Sequence, residues 1–129
     1  MFLKLCVFLL LVAFFVETIP GGWYAANPND PAMIEALDFA LMKYNEGNND
    51  RFLIKLESLV SAQQQVVAGM NYRIIANVAR TKCRKGTSKP LDKCQILTQE
   101  KFAKVYKCTF LVYVVPWLKT SELRQHNCV

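Results

Sequence analysis

The chain has 129 residues and a net charge of +6, with 16 basic and 10 acidic residues, a size that favours a single domain. Basic residues are scattered except for one cluster at Lys82, Arg84, Lys85, Lys89 and Lys93. Because this cluster has no aromatic residue to stack on bases, the sequence argues against nucleic-acid binding. We interpret the charge as a solvated surface, with a loose contact to a heparin-like polyanion as the alternative.

The first 18 residues have the organisation of a secretory signal. Lys4 supplies a positive charge, and Leu5 to Val16 form an unbroken apolar run of 12 residues. A membrane span needs about 20 such residues, so an anchor is disfavoured. We predict cleavage after Thr18, a signal peptide over 1–18, and a secreted domain over 19–129 that does not engage membranes.

The secreted part should begin with a flexible arm, because Pro20 is followed by Gly21 and Gly22. A helix is then predicted from Asp30 as N-cap and Pro31 at the first helical position. Apolar residues recur at helical spacing at Met33 or Ile34, Leu37, Leu41 and Tyr44. We expect the helix to end in 46–50, with Gly47 and the following Asn pair suited to left-handed conformations.

The remainder of the chain has strand character. Alternation from Phe52 places Phe52, Ile54, Leu56 and Val60 on one face, and alternation from Tyr72 does the same for Ile74, Ala76 and Val78. We predict a loop over 82–95, a strand over 101–115 that Pro116 stops, and a closing strand over 121–128. The sequence therefore predicts an α+β fold in which one long helix packs across a twisted antiparallel sheet of four to five strands.

Four cysteines remain after signal removal: Cys83, Cys94, Cys108 and Cys128. An even number in a small secreted domain predicts disulfides, with three pairings open, and we favour the local pairs Cys83–Cys94 and Cys108–Cys128. The intervening 10, 13 and 19 residues contain no Cys-x-x-Cys pair, so we expect no structural zinc site and no metal or cofactor.

Two predicted turns carry apolar residues where turns are ordinarily polar. The first comprises Gln65, Val66, Val67, Ala68 and Gly69. The second is formed by Pro116 and Trp117, where Trp117 either folds back onto the sheet or binds a partner. Alternate turns of a meander lie at the same edge, so both turns, together with the N-terminal arm, should form one blunt edge suited to entering a cleft.

The combination of Gly21-Gly22, the five residues from Gln65 to Gly69, Pro116-Trp117 and four late cysteines resembles the secreted (type 2) cystatins. The resemblance covers nearly all of the secreted part. It implies a monomeric, reversible, tight-binding inhibitor of papain-like cysteine proteases of the cathepsin type, and it implies the same disulfide pairs. The residues implied to bind the protease are Ile19, Pro20, Gly21, Gly22, Gln65, Val66, Val67, Ala68, Gly69, Pro116 and Trp117. Because Ile19 and Pro20 alone precede the glycines, we expect the arm to contribute less than the turns.

Some cystatins also inhibit legumain, an asparagine-specific protease, through a Ser-Asn-Asp turn after the helix. The corresponding residues here are Asn48, Asn49 and Asp50, so the resemblance implies that Asn49 would be presented to legumain. The alternative reading is an ordinary helix stop, because Asn-rich turns commonly end helices.

The sequence bears on two other classes of protein. An enzyme is disfavoured, because the one histidine, His126, stands beside a cysteine expected in a disulfide, and a thiol nucleophile must be free. The alternative function is a cathelin-like or other non-inhibitory secreted binding module. Such a module would be expected to lack the intact motif from Gln65 to Gly69 and to precede a cationic peptide.

Overall fold

The computed structural model describes residues 22–129, so the predicted signal peptide and residues 19–21 lie outside the described residues. The elements in chain order are strand β1 (Tyr24–Ala25), helix α1 (Pro31–Gly47), and strands β2 (Phe52–Val67), β3 (Gly69–Arg84), β4 (Val105–Val115) and β5 (Thr120–Cys128). The strands form one antiparallel sheet in the order β1-β2-β3-β4-β5. The predicted α+β fold is confirmed, with five strands.

Helix α1 begins where the sequence predicted. The carboxylate of the N-cap Asp30 accepts a hydrogen bond from the Ala32 N–H at 3.3 Å, and Pro31 is the first helical residue. The helix buries Met33, Ala36, Leu37, Ala40 and Leu41 against Ile74, Phe110 and Val112 of the sheet. No helix within residues 22–129 is both long and apolar enough to cross a membrane.

A buried asparagine fixes the helix to the sheet. Asn45 donates to the Ile54 carbonyl and accepts from the Ile54 N–H, both at 2.8 Å. These two bonds satisfy backbone groups on the outer side of β2, where no neighbouring strand is present among the described residues.

The prediction of left-handed residues at the end of the helix is wrong. Gly47 is the last helical residue, and its successor Asn48 is extended, with φ −98° and ψ 164°. The Asn48 side chain instead turns back and donates to the Tyr44 carbonyl at 2.9 Å, while its backbone N–H bonds the same carbonyl at 3.1 Å. The helix terminus is thus closed by side-chain capping, which makes a left-handed residue unnecessary.

The prediction that Val60 shares the core face of Ile54 is also wrong, because Val60 is 47% exposed. Register shifts lie between Phe52 and Ile54, between Leu56 and Ser58, and between Leu59 and Ser61. The second and third shifts each place one extra residue in β2, which breaks strict alternation there. As a result Leu59, rather than Val60, packs against the core.

Strand β3 alternates as predicted, with Tyr72, Ile74, Ala76 and Val78 buried. It continues to Arg84, so the predicted loop begins three residues later than expected, and β4 begins at Val105 instead of residue 101. Both predicted disulfides, Cys83–Cys94 and Cys108–Cys128, are confirmed. The first staples the β3–β4 connection to the end of β3, and the second joins β4 to β5.

Candidate functional site

The β2–β3 connection is a very short turn. Val67 pairs with Gly69, so Ala68 alone lies between the strands, and Val66 and Val67 are exposed at the tip. The amide of Asn71 donates to the Gln65 side-chain oxygen at 3.1 Å across the same ladder. The first predicted turn is therefore a rigid strand end with two exposed valines.

Gly69 is required at this tip for two reasons. Its φ is +111°, in a region that side-chain-bearing residues rarely adopt. A Cβ at this position would also lie 2.6 Å from the carbonyl oxygen of Val114 on β4. In addition, the Tyr113 hydroxyl donates to the Ala68 carbonyl, so β4 holds the turn from the side.

The second turn presents an aromatic side chain to solvent. Pro116–Leu118 form a short 3₁₀ turn that Lys119 closes in the left-handed conformation, with φ 52°. Trp117 is 68% exposed and Leu118 is 63% exposed. Trp117 therefore does not fold back onto the sheet. Leu118 extends the apolar tip and was not singled out from the sequence, since a leucine beside a tryptophan carries no distinctive pattern.

The two turns lie side by side at one end of the sheet. Met70, next to the first turn, pairs with Val114, and Val114 pairs with Ser121 just after the second turn. Neighbouring strands are about 4.8 Å apart, so the turn between β2 and β3 and the turn between β4 and β5 are centred roughly 10 Å apart. This adjacency was predicted from the meander and is confirmed.

The described part of the N-terminal arm runs toward the same end. Tyr24 pairs with Gln64 and Ala25 with Gln63, so the antiparallel direction carries Gly22 toward Val66. The indole of Trp23 lies against the Arg73 guanidinium, 4.1 Å from the ring centroid. The sequence did not single out Trp23. Ile19, Pro20 and Gly21 lie outside the described residues.

Asn48, Asn49 and Asp50 lie at the opposite end of β2, directly after the helix. The Asn48 side-chain oxygen accepts from the Asp50 N–H at 2.9 Å and from the Lys85 ammonium at 2.8 Å. Lys85 also donates to the Asn48 carbonyl. Asn49 is exposed between these two fixed neighbours.

Asp50 is held by a second cation. Its Oδ2 accepts from Arg80 Nη2 at 2.8 Å and from Nε at 3.0 Å, and both side chains are largely buried, at 11% and 14% exposed. Burial acts to raise the pKa of Asp50, but hydrogen bonds from the Phe52 N–H and Arg80, with the charges of Arg80 and Lys104, lower the pKa overall. The carboxylate is thus ionised at neutral pH and fixes the turn.

The one histidine, His126, lies on β5 and contacts helix α1. The His126 ring contacts Tyr44 edge-on, with ring centroids 6.0 Å apart, and the nearby Cys128 is disulfide-bonded to Cys108. Within residues 22–129, no free thiol is therefore adjacent to this imidazole.

Comparison with known proteins agrees with this geometry. The profile of the Cystatin domain matches residues 21–117. The chain is 38% identical to the cystatin of Oncorhynchus keta, over 97% of this chain and 96% of that protein. It is 37% identical to cystatin-C of Bos taurus, over 84% of this chain and 72% of that protein. The structure of dimeric human cystatin F superposes with a TM-score of 0.79 at 31% identity, covering 87% and 89% of the two chains.

Proposed function

The chain belongs to the cystatin family of cysteine protease inhibitors, and on this premise we propose that it is a reversible, tight-binding inhibitor of papain-like cysteine proteases of the cathepsin type. Cystatins inhibit proteases and are not enzymes. The proposed inhibitory surface, here called the wedge, comprises 19–22, Val66 to Gly69, and Pro116 to Leu118. One observation carries the proposal: the exposed Trp117 stands beside an exposed valine pair at one end of a rigid sheet.

Inhibition by such a surface needs no catalytic residue, because blocking a cleft requires only a complementary shape with apolar anchors. Val66, Val67, Trp117 and Leu118 supply exposed apolar area at a single end of the fold. Isolated apolar residues are common on surfaces, but a contiguous group at one edge is typical of an interaction site. Trp117 is the expected hot spot, since tryptophan is enriched among residues that dominate binding energy.

The two turns of the wedge are also pre-organised. The first turn is fixed by the positive φ of Gly69 and by the Tyr113 hydroxyl on the Ala68 carbonyl, and the second by Pro116. A surface that is already ordered loses little conformational entropy on binding, which favours affinity. The arm would add contacts from Ile19 and Pro20, and we propose that its share is smaller than that of the turns.

Titration of the purified secreted chain against active-site-titrated papain tests this function. We expect stoichiometric inhibition, with activity recovering on dilution as a reversible complex requires. Absence of inhibition at micromolar chain would contradict the proposal and would favour a non-inhibitory secreted binding module of the cathelin-like type.

A second function is inhibition of legumain at the turn of Asn48, Asn49 and Asp50. The observation in its favour is that Asn49 is exposed while both neighbours are held by cations, Lys85 on Asn48 and Arg80 on Asp50. A fixed, outward asparagine is the side chain that an asparagine-specific protease would take. Because this turn and the wedge lie at opposite ends of β2, we propose that the two proteases bind without competing.

The variant Asn49→Lys tests the second site. We expect loss of legumain inhibition with unchanged papain inhibition, because the substitution removes the recognised amide and leaves the wedge untouched. Asn29→Lys, which makes the same change in the exposed loop before α1, is the matched control and should affect neither activity. Retained legumain inhibition by Asn49→Lys would contradict the assignment.

The setting proposed for this activity is extracellular. Residues 1–18 are proposed to direct secretion, and the two disulfides are suited to an oxidising compartment. We further propose that the secreted chain acts as a monomer, since one copy carries the complete wedge.

A further inference from the structure

The sheet face opposite helix α1 carries a charge pattern that protease inhibition does not use. Arg73 lies between the buried residues Tyr72 and Ile74, and Lys107 precedes the buried Cys108, so both belong to the face away from the helix. Arg124 belongs to the same face, because its guanidinium lies over the Tyr113 ring. We call Arg73, Lys107 and Arg124 the basic face.

Arg73 and Arg124 flank a shallow groove. Arg73 pairs with Leu111 on β4, and Leu111 pairs with Gln125 on β5, beside the bulge that contains Arg124. One strand therefore separates the two arginines, which places their backbones roughly 10 Å apart at normal strand spacing. The groove between them has a volume of about 590 Å³, and it is also lined by Thr109 and Asn127.

Both guanidinium groups are positioned by aromatic rings. Arg73 lies 4.1 Å from the Trp23 ring centroid, and Arg124 lies 4.0 Å from that of Tyr113. Arg73 also donates to the Gln63 side chain at 3.3 Å. Stacking leaves the edge of a guanidinium able to donate to an oxyanion, and it reduces the side-chain entropy that binding would cost.

Acidic residues are nearly absent from the three strands that carry the basic face. Strands β3 and β4 contain no Asp or Glu, and β5 contains one, Glu122, whose carboxylate is 3.4 Å from Arg124 in an exposed ion pair. Exposed pairs of this kind are weak, so Glu122 would yield to a stronger anion. Four acidic residues instead belong to α1 and its cap, across the sheet: Asp30, Glu35, Asp38 and Glu46. The basic face and these four acidic residues therefore lie on opposite sides of the sheet.

We propose that the basic face binds a sulfated polysaccharide, whose regularly spaced oxyanion groups would contact Arg73, Arg124 and Lys107 across the strands. Two observations favour this partner over other polyanions. The rings of Trp23 and Tyr113 are covered by the arginines, so they are not free to stack on the bases of a nucleic acid. Leu111 is the one apolar side chain lining the groove, whereas membrane binding requires a set of apolar anchors to insert.

Binding of a heparin octasaccharide, measured by calorimetry at 0.15 M salt, tests the proposal. We expect the double variant Arg73→Gln/Arg124→Gln to raise the dissociation constant by about tenfold or more, because two direct contacts are lost. The matched control is Lys89→Gln/Lys93→Gln, which removes the same charge from the basic cluster in the β3–β4 connection and should raise it by less than about threefold. Glu122→Gln should tighten binding, since it frees Arg124 from its carboxylate.

Several results would overturn the proposal, and each can be told from the others. Equal weakening of heparin binding by the two double variants would show that only net charge matters. Greater weakening by the control would place the site at the basic cluster in the β3–β4 connection. No binding by the unmodified chain, or binding to phosphatidylserine vesicles that the octasaccharide does not displace, would also overturn the proposal. If the arginine double variant melts at a much lower temperature, Arg73→Lys and Arg124→Lys keep the charge and should each weaken binding a few-fold by losing the planar stacked group.

Discussion

Replacing Trp117 with alanine is the most direct test of the wedge, and the structure sets the size of the effect. A tryptophan side chain buries about 150–250 Å² when fully covered. Because Trp117 is 68% exposed, about 100–170 Å² of its area remains to be buried against a protease. At about 25 cal/mol per Å², this area corresponds to about 2.5–4 kcal/mol of binding free energy.

The measurable loss should be smaller, because alanine keeps the Cβ and because binding must order the indole. We therefore expect Trp117→Ala to weaken papain binding by about 2–3 kcal/mol, which is a rise in the inhibition constant of about 30- to 150-fold. The assay is steady-state inhibition of papain over a range of inhibitor concentrations, analysed for tight binding.

Phe102→Ala is the matched control, since Phe102 is an exposed aromatic whose carbonyl bonds Arg80 at the opposite end of the sheet. It should leave the inhibition constant unchanged. Melting temperatures of both variants should stay close to that of the unmodified chain, because neither ring is in the core. An inhibition constant for Trp117→Ala within threefold of the original, or an equal loss in Phe102→Ala, would refute the reasoning.

Two further predictions concern stability. Gly69→Ala should lower the free energy of unfolding by about 2 kcal/mol or more, because φ is +111° and the new Cβ would meet a β4 carbonyl. Gly47→Ala, where a Cβ meets nothing within 4 Å, should instead be neutral or stabilising. Calorimetry measures the free energy of unfolding of both variants, and an equal loss in the two would contradict the special role of Gly69. Asp50→Asn should lower the melting temperature by more at pH 7 than at pH 3. The pKa of Asp50 is lower in the folded chain, so its stabilising effect is present above the unfolded value of about 3.9 and is lost as the pH falls through the folded value. An equal effect at both pH values would argue against this role of Arg80.

Local signals predicted the parts of the fold that depend on near neighbours. The Asp30-Pro31 pair marked the start of the helix, because capping and the fixed proline φ act within one turn. Buried alternation on β3 was also readable, since that strand is paired on both sides without a bulge relative to β4. The adjacency of the two turns at one end of the sheet followed from the meander connection of the strands.

What the sequence could not predict depends on contacts between distant residues. The bulges of β2 moved Val60 off the core face, and nothing in the local pattern marks where a bulge will fall. The cations that hold Asn48 and Asp50 come from Lys85 and Arg80, more than 29 residues further along the chain. The prediction of a left-handed helix end failed for a different, local reason, because the Asn48 side chain caps the helix in place of the backbone motif.

The bulges of β2 have a consequence for solubility. Strand β1 pairs with β2 at Gln63 and Gln64, so in the described part of the chain the outer edge of β2 from residue 52 to 61 adjoins no other strand. A long, regular open edge is a template on which another chain can add a strand and start aggregation. Two register shifts within this stretch each place an extra residue in β2, which interrupts the even spacing of its backbone donors and acceptors. These irregularities in the sheet would therefore keep the protein from polymerising along its own edge.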